Sequence, residues 1–324
     1  MRAPNFWQAD GGRLLPWLLA PAAALTARIT ASRMARPGWR APVPVLCCGN
    51  VTVGGAGKTT LALDLGRRLT ARGISVGFLS RGYGGRARGT RPVDPVSDSA
   101  ALVGDEPLLL AAIAPTWIGA DRAAAARAAV AAGAKALILD DGLQNPSLQK
   151  DFSLLVVDGQ FGFGNRRLLP AGPLRETIAA AAARCAAAVL IGEDTAGAAA
   201  ALPAGLPVLR ARLLPDPHAL AFRGKPVIAF AGIARPEKFF ATLQEAGVEP
   251  IRRYGFPDHH RYTEASLHRL FGEAARLGSV LLTTRKDAVR IPAKLRARVI
   301  AIDVSLAWQD EAVLDRLLDG VTGG

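Results

Sequence analysis

A lysine and a threonine directly after a glycine cluster, with an apolar run before them, are residues that bind phosphate. Here they are Lys58 and Thr59, within Thr52-Val53-Gly54-Gly55-Ala56-Gly57-Lys58-Thr59-Thr60, and the apolar stretch 43–49 precedes them. In a P-loop the backbone N–H groups wrap the nucleotide phosphates. The lysine reaches the β/γ oxygens and the hydroxyl sits on Mg²⁺. Gly54, Gly55 and Gly57 remove Cβ atoms that would hold the backbone away from phosphate or forbid positive φ. The strict G-x-x-x-x-G-K-[ST] spacing has glycine where this chain has Thr52. A glycine-rich strand-to-helix turn with an incidental lysine is the plainer alternative. The order strand, glycines, Lys-Thr, helix favours nucleotide binding.

Downstream, the apolar run 136–139 ends in Asp140-Asp141. A carboxylate at the end of a buried strand after a P-loop is where Mg²⁺ is held, directly or through water; otherwise the pair caps a turn. Asp105-Glu106 opens a helical stretch with Pro107 in its first turn. Acids there complement the helix dipole, and spacing alone does not separate that role from the general base that a hydroxyl nucleophile needs. Of four histidines, His259 and His260 stand side by side after Asp258. A surface pair and a partner that tunes a catalytic carboxylate both fit. Arg81, Arg122 and Arg175 follow expected strands or sit in Gly/Pro loops. Such arginines meet phosphate or relieve transition-state charge, or simply face water. The Gly/Pro-rich stretch 162–176, which holds Asn165 and Arg175, reads as a rigid connector or as a substrate-facing loop.

The elements that must position these residues alternate. Strands are expected at 43–49, 74–80, 116–119, 136–141, 152–158, 187–192, 227–231, 280–283 and 299–302. Helices are expected at 58–72, from 105, and at 121–132, 237–246, 264–277 and 310–318, with 86–104 as a loop. This alternation implies an α/β fold with a mostly parallel sheet covered on both faces. Prolines at 203, 207, 215, 217 and 226 mark a boundary. We therefore expect a P-loop NTPase domain over 41–215 and a second, smaller α/β domain over 216–324 that contributes to the active cleft.

Residues 1–40 are a separate segment. The apolar run 14–29 is accompanied by Phe6, Trp7 and Trp17, and Arg28, Arg33, Arg36 and Arg40 lie at its end and beyond. It is shorter than the ~20 residues that a spanning helix needs, and Pro16 and Pro21 interrupt it. It lacks the basic start and cleavage pattern of a signal peptide. An interfacial helix with its apolar face in lipid is the expectation, against a helix packed on the protein's own core. Apolar residues are 50% of 324, ample for a packed core, so disorder is not the default expectation. The three cysteines have no metal spacing and build no disulfide framework. The net charge of +13 favours anionic partners: nucleic acid, anionic lipid or a phosphorylated substrate.

Taken in order, Gly49-Asn-Val-Thr-Val-Gly-Gly-Ala-Gly-Lys-Thr59, Ser80-Arg-Gly-Tyr-Gly84, Gly104-Asp-Glu-Pro107, Asp140-Asp-Gly-Leu-Gln144, Leu169-Pro-Ala-Gly-Pro-Leu-Arg-Glu176 and Phe256-Pro-Asp-His259 resemble the tetraacyldisaccharide 4′-kinase family, the lipid A kinases of Gram-negative bacteria. The resemblance runs nearly end to end, and that family carries threonine at the Thr52 position. It implies transfer of the γ-phosphoryl of ATP, with Mg²⁺, to the 4′-hydroxyl of a tetraacyl glucosamine disaccharide 1-phosphate. It implies that Asp105 is the base, His259 its partner, and Lys58 the P-loop lysine. Thr59, Asp140, Asp141 and Glu106 are implied on the metal side, and Arg81, Arg122 and Arg175 in the cleft. Asn165 is expected to meet polar groups of the substrate. The N-terminal segment is similar to the family's anchor at the cytoplasmic face of the inner membrane, peripheral or N-terminally anchored. The implied partners are the lipid substrate and the bilayer surface, without nucleic acid or an obligate protein partner.

Two positions depart from the family pattern. Asn145 stands where a histidine is usual, and Arg285 stands for glutamate in Thr284-Arg285-Lys286-Asp287. The rival reading is a membrane-associated regulatory or partitioning P-loop ATPase. Those proteins have lysine just before the glycine pair, where this chain has Val53. A non-enzymatic basic membrane-binding module is a third class, which the P-loop with Asp140-Asp141 disfavours.

Overall fold

Strands buried on both faces need apolar side chains at consecutive positions. Val45–Gly49 (β1) and Val76–Ser80 (β2) meet that need. Arg91–Pro92 (β3) and Thr116–Ile118 (β4) are short. Ala136–Asp140 (β5), Phe152–Asp158 (β6) and Ala187–Ile191 (β7) are again buried along their whole length, and Val208–Pro215 (β8) is partly exposed. Val227–Ala231 (β9), Pro250–Gly255 (β10), Val280–Thr284 (β11), Ile300–Ile302 (β12) and Val304–Trp308 (β13) complete the set. The computed structural model describes residues 4–322, so residues 1–3 of the N-terminal segment and 323–324 lie outside the described residues.

One sheet has nine strands in the order β13-β8-β7-β6-β1-β5-β2-β4-β3, and the other has four in the order β10-β9-β11-β12. In the larger sheet only β3 on β4 and β13 on β8 run antiparallel. The smaller sheet is parallel throughout. The chain moves from β1 outward to β2 and β4 on one side, then to β6, β7 and β8 on the other. The loops leaving the carboxyl ends of β1 and β6 therefore diverge, and a crevice opens there as at other topological switch points.

Helices cover both faces of the larger sheet. Lys58–Ala71 and Glu311–Thr322 pack on one side, and Arg122–Ala131 and Ile178–Ala182 on the other. Gly66 lets the first of these lie close: a Cβ there would meet the ring of Phe78 at 2.3 Å. Arg122–Ala131 starts where Asp121 accepts the N–H groups of Ala123 and Ala124 at 2.9 and 3.1 Å, and its alanines propagate it. In the smaller unit Glu264–Arg276 starts at a capping box between Thr263 and Ser266.

Several elements differ from expectation, among them the unexpected strand β10. The chain from Val304 onward, expected in the smaller domain over 216–324, returns to the larger sheet. There β13 pairs with β8, and Leu306, Trp308, Leu314 and Leu318 join the larger core. β8 itself lies inside the proline cluster; only Pro215, at its end, falls within the strand, where a missing N–H is tolerated. The expected loop 86–104 holds β3 and the helical turn Ala100–Val103. In the N-terminal segment Leu14–Leu18 and Ala20–Met34 are helical, with Pro16 and Ala23 buried and Leu14, Trp17, Leu18, Leu25 and Ile29 exposed. Among the described residues no helix is long and apolar enough to cross a membrane.

Candidate active site

β1 ends at Gly49, and the chain turns through 50–57 into the helix Lys58–Ala71. Gly54 and Gly57 take φ of 123° and 92°, a region that a Cβ would disfavour. Gly55 and Ala56 lie between them, and Lys58, Thr59 and Thr60 form the first helical turn. The first bond of that turn is Leu61 N–H to the Gly57 carbonyl at 3.0 Å, so the N–H groups ahead of it lack intrahelical partners, the state that suits an anion. Thr52 and Val53 have another job. The Val53 N–H donates to Pro173 O at 2.9 Å, Thr52 bridges Leu174, and the Arg175 N–H reaches Val51 O at 2.7 Å. The arm of the P-loop is thereby stitched to the 168–175 loop. The Thr52 hydroxyl accepts from Asn50 Nδ2 at 3.1 Å, and Asn50 Oδ1 accepts from Lys58 Nζ at 3.0 Å. The threonine where a strict P-loop has glycine thus helps to orient the lysine.

Asp140 ends β5, beside β1. Its Oδ2 accepts the Thr59 hydroxyl at 2.8 Å, while its buried Oδ1 has no partner among the described residues. Burial, reinforced by the charge of Glu106, pushes the Asp140 carboxyl up to about 7. An orphaned carboxylate oxygen beside a threonine hydroxyl is a donor set suited to Mg²⁺, which takes one or two protein oxygens and fills its shell with phosphate and water. Asp141 adopts φ of 58° and turns the other way. Arg175 Nη1 donates to both its oxygens, at 2.9 and 3.1 Å, and Lys58 Nζ lies at 3.8 Å. Burial would raise the Asp141 carboxyl, but Lys58 and Arg175 outweigh it and hold the group low. Gln144 ties the loop together, donating to Asn50 O at 2.8 Å and to Glu176 at 2.9 Å.

Asp105 and Glu106 open the helix Asp105–Ala111. Asp105 is buried, and its Oδ2 meets His259 Nδ1 at 3.0 Å and Arg290 Nε at 2.9 Å, with Lys286 Nζ at 4.0 Å. All three come from the smaller unit. Burial would raise the Asp105 carboxyl, but these three groups hold it well below the usual carboxylate range. An ionised carboxylate can only accept, so the contact is a hydrogen bond donated by His259 Nδ1. His259 sits at φ of 56°, with its N–H near Gly232 O at 3.1 Å and its ring edge-on to Tyr83 at 5.5 Å. His260 turns away and stacks on Phe256 at 4.6 Å, so the geometry chooses His259 as the carboxylate's partner. Glu106, expected on the metal side, is held by Lys286 Nζ at 3.0 Å.

Arg122 is buried, donates to Gly119 O, and keeps its Nε unpaired. Burial lowers its guanidinium to about 10, with Arg81 adding to the effect and Asp141 and Asp140 opposing it. It therefore lies within the field of Asp140 and Asp141, whereas Arg81 is exposed. Asn165 is engaged by the backbone around it. Its amide donates to Phe6 O at 2.8 Å and Ala171 O at 3.0 Å, and its Oδ1 accepts the Arg167 N–H at 3.0 Å. It fastens the 162–172 loop to the N-terminal segment, because a polar side chain between two glycine-rich turns satisfies their backbone first.

The model of the family described as Tetraacyldisaccharide-1-P 4'-kinase matches residues 15–322. The chain belongs to the tetraacyldisaccharide 4′-kinase family. It is 58% identical to the tetraacyldisaccharide 4'-kinase of Gluconacetobacter diazotrophicus over 98% of both chains. It is 54% identical to that of Rhodospirillum centenum over 100% of this chain and 98% of the other. A crystal structure of LpxK from Aquifex aeolicus in complex with ATP superposes with a TM-score of 0.78 at 27% identity, covering 95% of this chain and all of that one.

Two further residues of the site, Arg290 and Asn50, carried no signal that the sequence reading used. Arg290 lies four residues after Lys286, past the end of the helical turn Arg285–Ala288. A second cation one turn on from Lys286 was the available signal. Asn50 had none beyond its place between β1 and the glycines. Asn145, where the family usually has histidine, uses its Oδ1 to accept the Ser147 N–H at 3.0 Å and hydroxyl at 2.7 Å, a local turn with no link to Asp105.

Proposed function

We propose that this chain transfers the γ-phosphoryl of ATP to the 4′-hydroxyl of a tetraacyl glucosamine disaccharide 1-phosphate, a step of lipid A biosynthesis. The observation that carries this reading is the meeting of Asp105 with His259. A buried, oriented carboxylate from the larger unit and a histidine from the smaller one share a 3.0 Å contact, with the neighbouring Glu106 close enough to perturb Asp140. A nucleotide-hydrolysing switch has no need of a second unit that brings a histidine to a carboxylate there; a hydroxyl acceptor does.

Phosphoryl transfer asks the protein for positioning and charge stabilisation. Lys58, held by Asn50 and Asp141 here, would extend to the β/γ oxygens when phosphate displaces those weaker contacts. Asp140 and Thr59 would hold Mg²⁺, which supplies neutralisation of the charge on the β/γ oxygens. Arg175 fixes Asp141 and so the loop that carries both acids. Asp105 orients the 4′-hydroxyl; as the O4′–P bond forms and the bond to the β–γ bridging oxygen breaks, the hydroxyl proton passes to Asp105 and ADP departs. Three cationic or donor groups make Asp105 a weak base. That is tolerable because the transition state is loose and the proton leaves late, so placement matters more than basicity.

The acceptor's acyl chains require work at a bilayer. The exposed Leu14, Trp17, Leu18, Leu25 and Ile29, with exposed Arg28, Arg33 and Arg36, support an interfacial segment on the anionic cytoplasmic face of the inner membrane. The test is incubation with γ-labelled ATP and the lipid disaccharide 1-phosphate in detergent micelles. Labelled lipid is expected; ATP hydrolysis without labelled lipid would overturn the reading.

A further inference from the structure

The Asp105 carboxylate is held by a residue that no motif named. The side chain of Arg290 is 5% exposed, and its Nε donates to Asp105 Oδ2 at 2.9 Å. Its Nη1 donates to Gly232 O at 2.8 Å and to Asp287 Oδ1 at 3.2 Å. Asp287 is itself anchored, accepting from the Gly232 N–H at 2.9 Å and the Tyr262 hydroxyl at 2.7 Å. One end of the guanidinium is thus fixed in the smaller unit, and the other end grips a carboxylate of the larger unit. Arg290 Nη2 is buried without a partner among the described residues. A buried unpaired donor costs about 1–3 kcal/mol, which cohesion of the smaller unit alone does not explain, since an apolar side chain would avoid it.

We propose that Arg290 is a positioning residue for phosphoryl transfer, which locks the plane of the Asp105 carboxylate and leaves Oδ1 as the oxygen that meets the acceptor hydroxyl. The inference rests on the kinase reading above, in which Asp105 takes the hydroxyl proton. The terminal torsion of a carboxylate is broad and roughly two-fold, so each donor that holds it narrows its swing. Arg290 adds to His259 on the same oxygen and narrows that freedom further. They occupy Oδ2, whereas among the described residues Oδ1 accepts from the Glu106 N–H alone, at 3.1 Å. The proton then arrives on Oδ1, the side not already crowded by donors.

The test compares the full-length wild type, Arg290→Ala, Arg290→Lys and Asp105→Ala in the lipid-phosphorylation assay with ATP varied. Arg290→Ala is expected to lose about 10²-fold in kcat, the scale of a 1 Å misplacement, with KM for ATP within about threefold of wild type. Guanidinium chloride, added well below denaturing concentrations, should restore part of that kcat by filling the vacated site. Arg290→Lys keeps the charge but cannot serve Asp105 and the Gly232 carbonyl together, so its kcat should fall between the two. A folded Arg290→Ala whose loss appears in KM for ATP, or that guanidinium does not rescue, overturns the proposal. If Arg290→Ala does not fold, Arg290→Lys decides: wild-type kcat overturns the role, and reduced kcat at unchanged KM for ATP supports it. A wild type that labels no lipid removes the kinase reading itself. Activity abolished in Asp105→Ala but untouched in Arg290→Lys removes the Arg290 role alone.

Discussion

Replacing Asp105 by asparagine keeps its shape and removes its charge, and the consequences for stability and for turnover separate cleanly. The side chain is 4% exposed, with Arg290 Nε at 2.9 Å, His259 Nδ1 at 3.0 Å and Lys286 Nζ at 4.0 Å. Breaking a buried ionic set from one side costs roughly 3–5 kcal/mol. Here Arg290 keeps Asp287 at 3.2 Å and Lys286 keeps Glu106 at 3.0 Å, which places the loss at the lower end. We expect Asp105→Asn to lose about 3 kcal/mol at neutral pH. Burial pushes the Asp105 carboxyl up, and His259, Lys286 and Arg290 more than offset it, so the folded value is depressed. The unfolded chain then binds the proton first as pH falls below about 4. The wild type loses this stability progressively below that point, and the gap to the variant should close there. Turnover should fall about 10²- to 10⁴-fold, the range for a missing general base, while nucleotide affinity stays near normal because Lys58, Thr59 and Asp140 are untouched. Urea unfolding across pH, nucleotide titration and the labelled-lipid assay measure the three quantities. Turnover within about threefold of wild type, or a stability gap that does not narrow in acid, would refute the reasoning.

Further expectations concern neighbouring groups. His259→Ala should cut kcat about 10²-fold; His260→Ala should cost about 0.5–1.5 kcal/mol of stability through its lost stacking on Phe256 and leave kcat close to wild type, and a reversed pattern in paired kinetic and melting data would reassign the partner. In Asp140 the folded value is raised to about 7, so the nucleotide-free protein loses stability as pH climbs from about 4 through that value. Asp140→Asn should remove this slope and stabilise the nucleotide-free protein at pH 8 by about 1–3 kcal/mol, yet abolish lipid phosphorylation; a lower melting temperature at that pH would count against the desolvated carboxylate. Trp17→Ser with Leu18→Ser should weaken flotation with vesicles containing anionic lipid while leaving nucleotide binding intact, and undiminished flotation would argue against an interfacial segment.

Much of the catalytic edge was legible because its requirements are local. The apolar run of β1, the positive-φ glycines at 54 and 57 and the Lys58-Thr59 helix start must follow one another in the chain, and β5 must end in a carboxylate beside them. The return of β13 to the larger sheet was not legible. A strand of five residues has the same pattern whichever sheet it joins, and only packing of Leu306 and Trp308 against the helix Lys58–Ala71 selects between them. The backbone partners of Asn165 were not legible for a related reason. A polar residue in a Gly/Pro loop serves substrate or backbone equally well until the fold shows which carbonyls come within reach.

By itself, the sequence determined the donor half of this protein: an α/β sheet, a phosphate loop and a carboxylate pair at a strand end, all consequences of backbone geometry and burial acting over a few residues. The tertiary structure decided the acceptor half. Asp105 is 154 positions from His259 and 185 from Arg290, and no local periodicity encodes which histidine of an adjacent pair, or which of many arginines, will close on a buried carboxylate. That choice is made by the left-handed turn at His259, the anchoring of Arg290 on Asp287, and the way two separately wound sheets meet over one crevice.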